Sequence, residues 1–125
     1  MAQPVVHFEI IGSDPQALRA YYGQLFGWQY DTSGVVAEQV SDPNDYGFVG
    51  PAEVGVGIPG GVGGGPAHRP RAMFYVGVAD VEAAMQQAES LGGHRVFGPV
   101  ESQDGPSVGL FTDPQGNLIG VAATL

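Results

Sequence analysis

The chain contains no cysteine, and its four basic residues, Arg19, Arg69, Arg71 and Arg95, are all arginines. The first absence excludes disulfides, thiolate nucleophiles and zinc–thiolate sites. Four cations against 13 Asp+Glu leave a formal net charge of −9. Such a field repels phosphate backbones, so no nucleic-acid partner is expected, and a neutral or cationic small molecule is favoured instead. No apolar run approaches the roughly 20 residues that cross a bilayer, which argues against a membrane partner. The opening MAQPVVHFEIIGSD lacks a basic start and meets Glu9 within its apolar run, so a secretory leader is not expected and a cytoplasmic location is. No G-x-S-x-G hydrolase signature is present. What remains is a chain of 125 residues, 43% hydrophobic, which suits one domain with one core.

Residues 5–28 and 71–94 align without a gap at an offset of 66. Phe8 falls on Phe74, Asp14 on Asp80, Ala17 on Ala83, Leu25 on Leu91 and Gly27 on Gly93. Each match lies where a strand-turn-helix unit needs it: an aromatic in the strand, Asp at the cap, Leu in the helix, Gly at its end. A duplicated unit predicts a pseudo-symmetric fold.

The first strand is expected over 4–11, with Val6, Phe8 and Ile10 on one face and Val5, His7, Glu9 and Ile11 on the other. Ser13 or Asp14 then caps a helix opened by Pro15, with Ser13 and Gln16 spaced as a capping box. Leu18, Tyr21, Tyr22, Leu25 and Phe26 form its buried stripe, and Gly27 ends it. Three short strands are expected near 34–40, 45–50 and 53–58, between turn signals such as Asp42-Pro43-Asn44-Asp45. The stretch PGGVGGGP, residues 59–66, then looks like a flexible linker. In the second half a strand at 71–78 leads to Asp80 as cap. A helix with Val81, Ala84, Met85, Ala88 and Leu91 on its apolar side follows, stopped by Gly92-Gly93. Strands near 94–98, 107–112 and 117–123 complete it, with Asp113-Pro114-Gln115-Gly116-Asn117 turning the last two. Each half reads β-α-β-β-β.

Two other signals are set aside. Gly55-Val56-Gly57-Ile58-Pro59-Gly60 matches G-x-G-x-x-G, but a dinucleotide site needs the motif to open a helix, and Pro59 with more glycine follows. His68-Arg69-Pro70-Arg71 is a small basic cluster better suited to solvating a loop than to holding phosphate; it could also clamp an anion or pair with acids across a dimer. His94 has no partner that the sequence identifies.

The segments HFEIIGSDPQALRAYYGQLFGW and LFTDPQGNLIGVA, with VADVEAAMQQAESLGG between them, resemble the vicinal oxygen chelate superfamily of glyoxalase I, bleomycin-resistance proteins and extradiol dioxygenases. The resemblance implies an α+β fold: two tandem βαβββ modules forming a curved mixed-sheet cup. Here that means a single domain over 1–125, with module 1 at about 4–58, a Gly/Pro linker at 59–69 and module 2 at about 70–125. It also implies an internal ligand site and a homodimer. Metal-binding members carry four ligands in the cup, which correspond to His7, Met73, Gly120 and a position around Val54 to Gly57, where Glu53 is the nearby donor.

A divalent cation needs at least three protein donors, and Met73 and Gly120 do not supply them. No cofactor is therefore expected, a divalent metal being the alternative. Glu9 lies two residues from His7 on the same strand face, and the repeat sets Met73 and Tyr75 opposite. The expected ligand-binding set is His7, Glu9, Met73, Tyr75 and Gly120, binding a small organic molecule much as bleomycin-resistance proteins sequester a drug. The alternative is a lyase or isomerase with Glu9 or His7 as its acid–base residue. A plainer possibility for Glu9 is an ordinary bond to backbone or an arginine, and for His7 that of a satisfied interior histidine. A partner-binding module with an unused cavity is the third reading.

Overall fold

The computed structural model describes residues 2–51, 55–101 and 105–123. The elements run β1 (Val5–Gly12), α1 (Pro15–Phe26), β2 (Gly47–Val49), β3 (Gly60–Gly64), β4 (Arg71–Val78), α2 (Val81–Ser90), β5 (His94–Glu101), β6 (Ser107–Thr112) and β7 (Leu118–Ala123). All seven strands join one mixed sheet in the order β2-β3-β1-β4-β7-β6-β5. The architecture is α+β, with β1–β4 antiparallel at the centre and the parallel pairs β1–β3 and β4–β7 on either side.

The local signals act as their chemistry requires. Asp14 and Asp80 cap the two helices, their Oδ1 atoms accepting from the Ala17 and Ala83 N–H groups at 3.1 and 3.0 Å. Gly27 closes α1 in the left-handed region at φ 74°. Asp113 builds the last turn, its Oδ1 accepting from the Gln115 and Asn117 amides at 2.8 and 3.0 Å. The capping box is not needed, because Asp14 rather than Ser13 takes the cap.

The duplication appears as a pseudo-twofold axis between β1 and β4. Phe8 pairs with its own counterpart Phe74, while His7 pairs with Tyr75 and Glu9 with Met73. Two expectations of module 1 fail. Residues 60–64 are no linker: they form β3, buried throughout and paired in parallel with β1 from Phe8↔Gly60 to Gly12↔Gly64. Glycine serves close packing here, since a Cβ at Gly60 would lie 2.2 Å from the Phe8 ring and one at Gly61 1.9 Å from the Tyr46 ring. Residues 34–40 form no strand. The place that β5 takes beside β6 is held in module 1 by a lone bridge, Asp31↔Phe48. The expected strand at 45–50 shortens to β2, and that at 53–58 falls partly outside the described residues, with 55–59 irregular.

The core has three parts. Ile11, Ala37, Val40 and Tyr46 pack on the concave side against Phe97, Val100 and Val108 of module 2. Met73, Tyr75, Leu110 and Ala122 continue that layer. On the other side Val81 and Met85 of α2 pack onto Val78 and Val121 of the sheet. The irregular segment of module 1 thus closes over the concave face and meets strands of module 2, and that closure makes a cup.

Candidate functional site

Strand alternation sends His7, Glu9 and Ile11 from β1, and Arg71, Met73 and Tyr75 from β4, to the concave side. Tyr46 arrives from the loop before β2. Its ring reaches the cup floor because Gly61 and Gly63 of β3 leave room beneath it. Above this floor lies a cavity of about 660 Å³, walled by Val36, Val40, Phe48, Val108 and Ala122 among others, with His7, Glu9, Tyr46 and Tyr75 as its polar part.

Glu9 is the hub. It is 1% exposed, yet both carboxyl oxygens are engaged. The Tyr46 hydroxyl donates to Oε1 at 3.0 Å, and Tyr75 OH and Arg71 Nη2 donate to Oε2 at 2.9 and 3.2 Å. Arg71 also donates to the Val40 carbonyl at 3.2 Å. His7 Nε2 lies 2.8 Å from the Tyr46 oxygen, extending the chain to the cavity wall. Rings surround His7, with the centroid of Tyr75 at 5.7 Å and that of Phe48 at 6.2 Å.

Burial sets the titration of these groups. It pushes His7 down to about 4, so the imidazole is neutral over most of the pH range. Burial raises the Glu9 carboxyl above its ordinary value, with the Arg71 charge and the hydrogen bonds from Tyr75 and Tyr46 pulling the other way. The Tyr46 and Tyr75 phenols are pushed up by burial and then by the neighbouring carboxylate. Neither phenol ionises at physiological pH, and both remain donors.

The structure brings together His7, Glu9 and Tyr75 and leaves Met73 and Gly120 out of the cavity wall. A Cβ at Gly120 would lie 2.5 Å from the Tyr75 ring and 2.7 Å from the Met73 methyl, so those two side chains fill the space that a side chain at 120 would occupy. The pairing also relocates the fourth position. Tyr75 pairs with Gly120 in β7 as Glu9 pairs with Gly61 in β3, so the axis that relates Glu9 to Tyr75 relates Gly61, not Val54 to Gly57, to Gly120. Both late-strand positions are therefore glycines roofed by tyrosine rings. Glu53 and Val54 lie outside the described residues.

Tyr46 and Arg71 are site residues that the sequence reading did not single out. Arg71 carried a signal: it stands two and four residues before Met73 and Tyr75, hence on the same strand face. The basic cluster it seemed to belong to is divided. His68 pairs with Asp42 at 3.2 Å, while Arg71 turns inward to Glu9. Tyr46 carried none, because its place depends on how the loop crosses β3.

With this geometry in view, a model of the glyoxalase-like domain matches residues 7–122. The chain belongs to the glyoxalase-like domain family, within the vicinal oxygen chelate superfamily. Solved structures agree on the fold. A variant of the Streptomyces coelicolor methylmalonyl-CoA epimerase, in complex with 2-nitronate-propionyl-CoA, is 14% identical, with a TM-score of 0.70 over 99% of this chain and 96% of that one. The Mycobacterium tuberculosis methylmalonyl-CoA epimerase is 13% identical, with a TM-score of 0.67 over 97% of this chain and 87% of its own. A Legionella pneumophila protein described as an NAD-dependent benzaldehyde dehydrogenase is 11% identical, with a TM-score of 0.62 over 95% and 98%. A search of curated proteins finds no sequence match. Neighbours described by such different chemistries share a scaffold, and function has to be argued from the cup.

Proposed function

We propose that this glyoxalase-like cup binds a small, neutral, largely apolar organic molecule without a metal ion. The observation that carries this reading is the state of the four family ligand positions. His7 offers one donor, Met73 a thioether turned into the core, and Gly61 and Gly120 none, with tyrosine rings over both glycines. Among the described residues no three His, Asp or Glu side chains converge on a point. Three donors are the usual minimum, so this set does not fit a zinc, nickel, iron or magnesium centre. Glu9 does not replace the missing donors, because its oxygens already accept three hydrogen bonds. The cavity volume lies in the range of small-molecule sites, and its apolar wall with few polar groups has their composition.

The test is direct. Untagged protein should contain no stoichiometric metal by elemental analysis, and nickel, zinc, manganese and iron(II) should not raise its melting temperature. A panel of apolar aromatic molecules should raise it, and Val40→Trp, which fills the cup, should abolish that response. Stoichiometric metal lost in His7→Ala would defeat the proposal.

A second reading is favoured by one observation, the unbroken chain from His7 through Tyr46 to Glu9. Such a chain can move a proton between the cavity wall and the buried carboxyl, as an isomerase requires. The fold neighbours include epimerases solved with CoA esters, so methylmalonyl-CoA and the methylglyoxal–glutathione hemithioacetal are the first substrates to assay. Turnover that His7→Gln and Glu9→Gln each abolish would favour the enzyme over the binding protein.

A further inference from the structure

The hydrogen bonds around Glu9 leave little freedom in where each proton sits, and they extend to the cavity wall. Arg71 has donors only, and it meets Glu9 Oε2 at 3.2 Å together with the Tyr75 hydroxyl at 2.9 Å. Facing this guanidinium an ionised Glu9 is acceptor-only, so each partner must donate to it. The Tyr46 proton is thereby committed to Oε1 at 3.0 Å. The Tyr46 oxygen, its proton spent, can only accept from His7 Nε2 at 2.8 Å. A neutral imidazole holds one hydrogen, and this places it on Nε2. Nδ1 is left as a bare acceptor, with no hydrogen-bond partner among the described residues, on a ring that lines the cavity.

We propose that the cup selects a ligand bearing a hydrogen-bond donor, a hydroxyl or N–H on an apolar and preferably aromatic body, which donates to Nδ1 of His7. The inference rests on the apolar-ligand reading above and narrows its chemical class. Ethers, esters and ketones of the same shape would place a lone pair against a lone pair. The aromatic preference follows from Phe48 and Tyr75, whose rings stand 6.2 and 5.7 Å from the His7 ring.

The test uses the whole protein at neutral pH and two probes of nearly equal shape, 2-naphthol and 2-methoxynaphthalene. By calorimetry 2-naphthol should bind about three- to tenfold more tightly, the range for one net hydrogen bond. In His7→Phe the preference should vanish while the ether keeps its affinity. Independently of any ligand, nitrogen chemical shifts of the His7 ring should show hydrogen on Nε2 and a bare Nδ1. Equal affinities, a preference for the ether, or hydrogen on Nδ1 would each overturn the inference. Binding of neither probe would instead overturn the apolar-ligand reading beneath it. The two failures are therefore distinguishable.

Discussion

The two modules start from the same strand-and-helix plan and treat their helices differently. Under α2 the sheet presents Val78, Val121 and Phe111, and Val81 and Met85 sink among them, Met85 to 0% exposure. Under α1 the sheet presents β3, where four of five residues are glycine. On that face β3 offers one side chain, Val62, between Gly60 and Gly64, and a helix interdigitates poorly with so bare a strand. The expected buried stripe of α1 is accordingly only partly seated: Leu18 and Tyr22 are half-buried, while Tyr21, Leu25 and Phe26 are 60, 56 and 57% exposed. An aromatic cluster takes its place, with Trp28 tilted against Phe8, Tyr22 and Phe26 at centroid distances of 5.0 to 5.5 Å. On the opposite, concave face of β3 the other two glycines, Gly61 and Gly63, leave the room that the Tyr46 ring takes. Module 2 carries the packing, and module 1 uses its glycines to shape the cup.

The strongest way to break this comparison is to cut the link between the modules. Arg71→Leu should remove about 3–5 kcal/mol of stability by denaturant titration, because it leaves the Glu9 carboxylate buried without its counter-charge. A loss below about 1 kcal/mol would mean that the two phenols hold Glu9 without Arg71.

Next in size is the contrast between the helices themselves. Met85→Ala should cost about 2–5 kcal/mol, as truncation of a fully buried side chain does. Leu25→Ala, in the expected apolar stripe of the other helix, should cost less than about 0.5 kcal/mol, the range of surface changes. Equal losses would show that α1 is seated after all.

The third test sharpens the electrostatic side. The His7 imidazole has a folded value of about 4 against an ordinary 6.5. As pH falls through 6.5 the unfolded chain takes up a proton that the folded one refuses until about 4, so unfolding becomes easier across that window. The loss attributable to His7 has a ceiling of roughly 3 kcal/mol, and the difference between wild type and His7→Gln, followed by chemical denaturation from neutral to acid pH, should display it. A flat difference would place His7 in water.

Much of this architecture was legible in order along the chain. Strands at 71–78, 107–112 and 117–123, both Asp caps, the Gly27 stop and the Asp113 turn are properties of neighbouring residues, and each formed where those residues stand. The repeat offset of 66 even anticipated the axis on which Phe8 meets Phe74. Module 1 beyond α1 was not legible. Glycine runs carry no periodicity, and PGGVGGGP reads alike as a linker or as a strand beneath aromatic rings. Of the expected site, His7, Glu9 and Tyr75 converge, while Gly120 lies under the Tyr75 and Met73 side chains and neither it nor Met73 reaches the cavity wall.

By itself the sequence determined the duplicated scaffold, the strand faces and the absence of side-chain donors at Gly120, because alternation, capping and residue type are local facts. Only the tertiary structure decided that β3 lies beside β1, that Tyr46 fills the space over Gly61 and joins His7 to Glu9, and that Arg71 turns inward. Those outcomes depend on which surfaces meet across long sequence separations. A glycine-rich strand acquires its role only from the rings that pack against it.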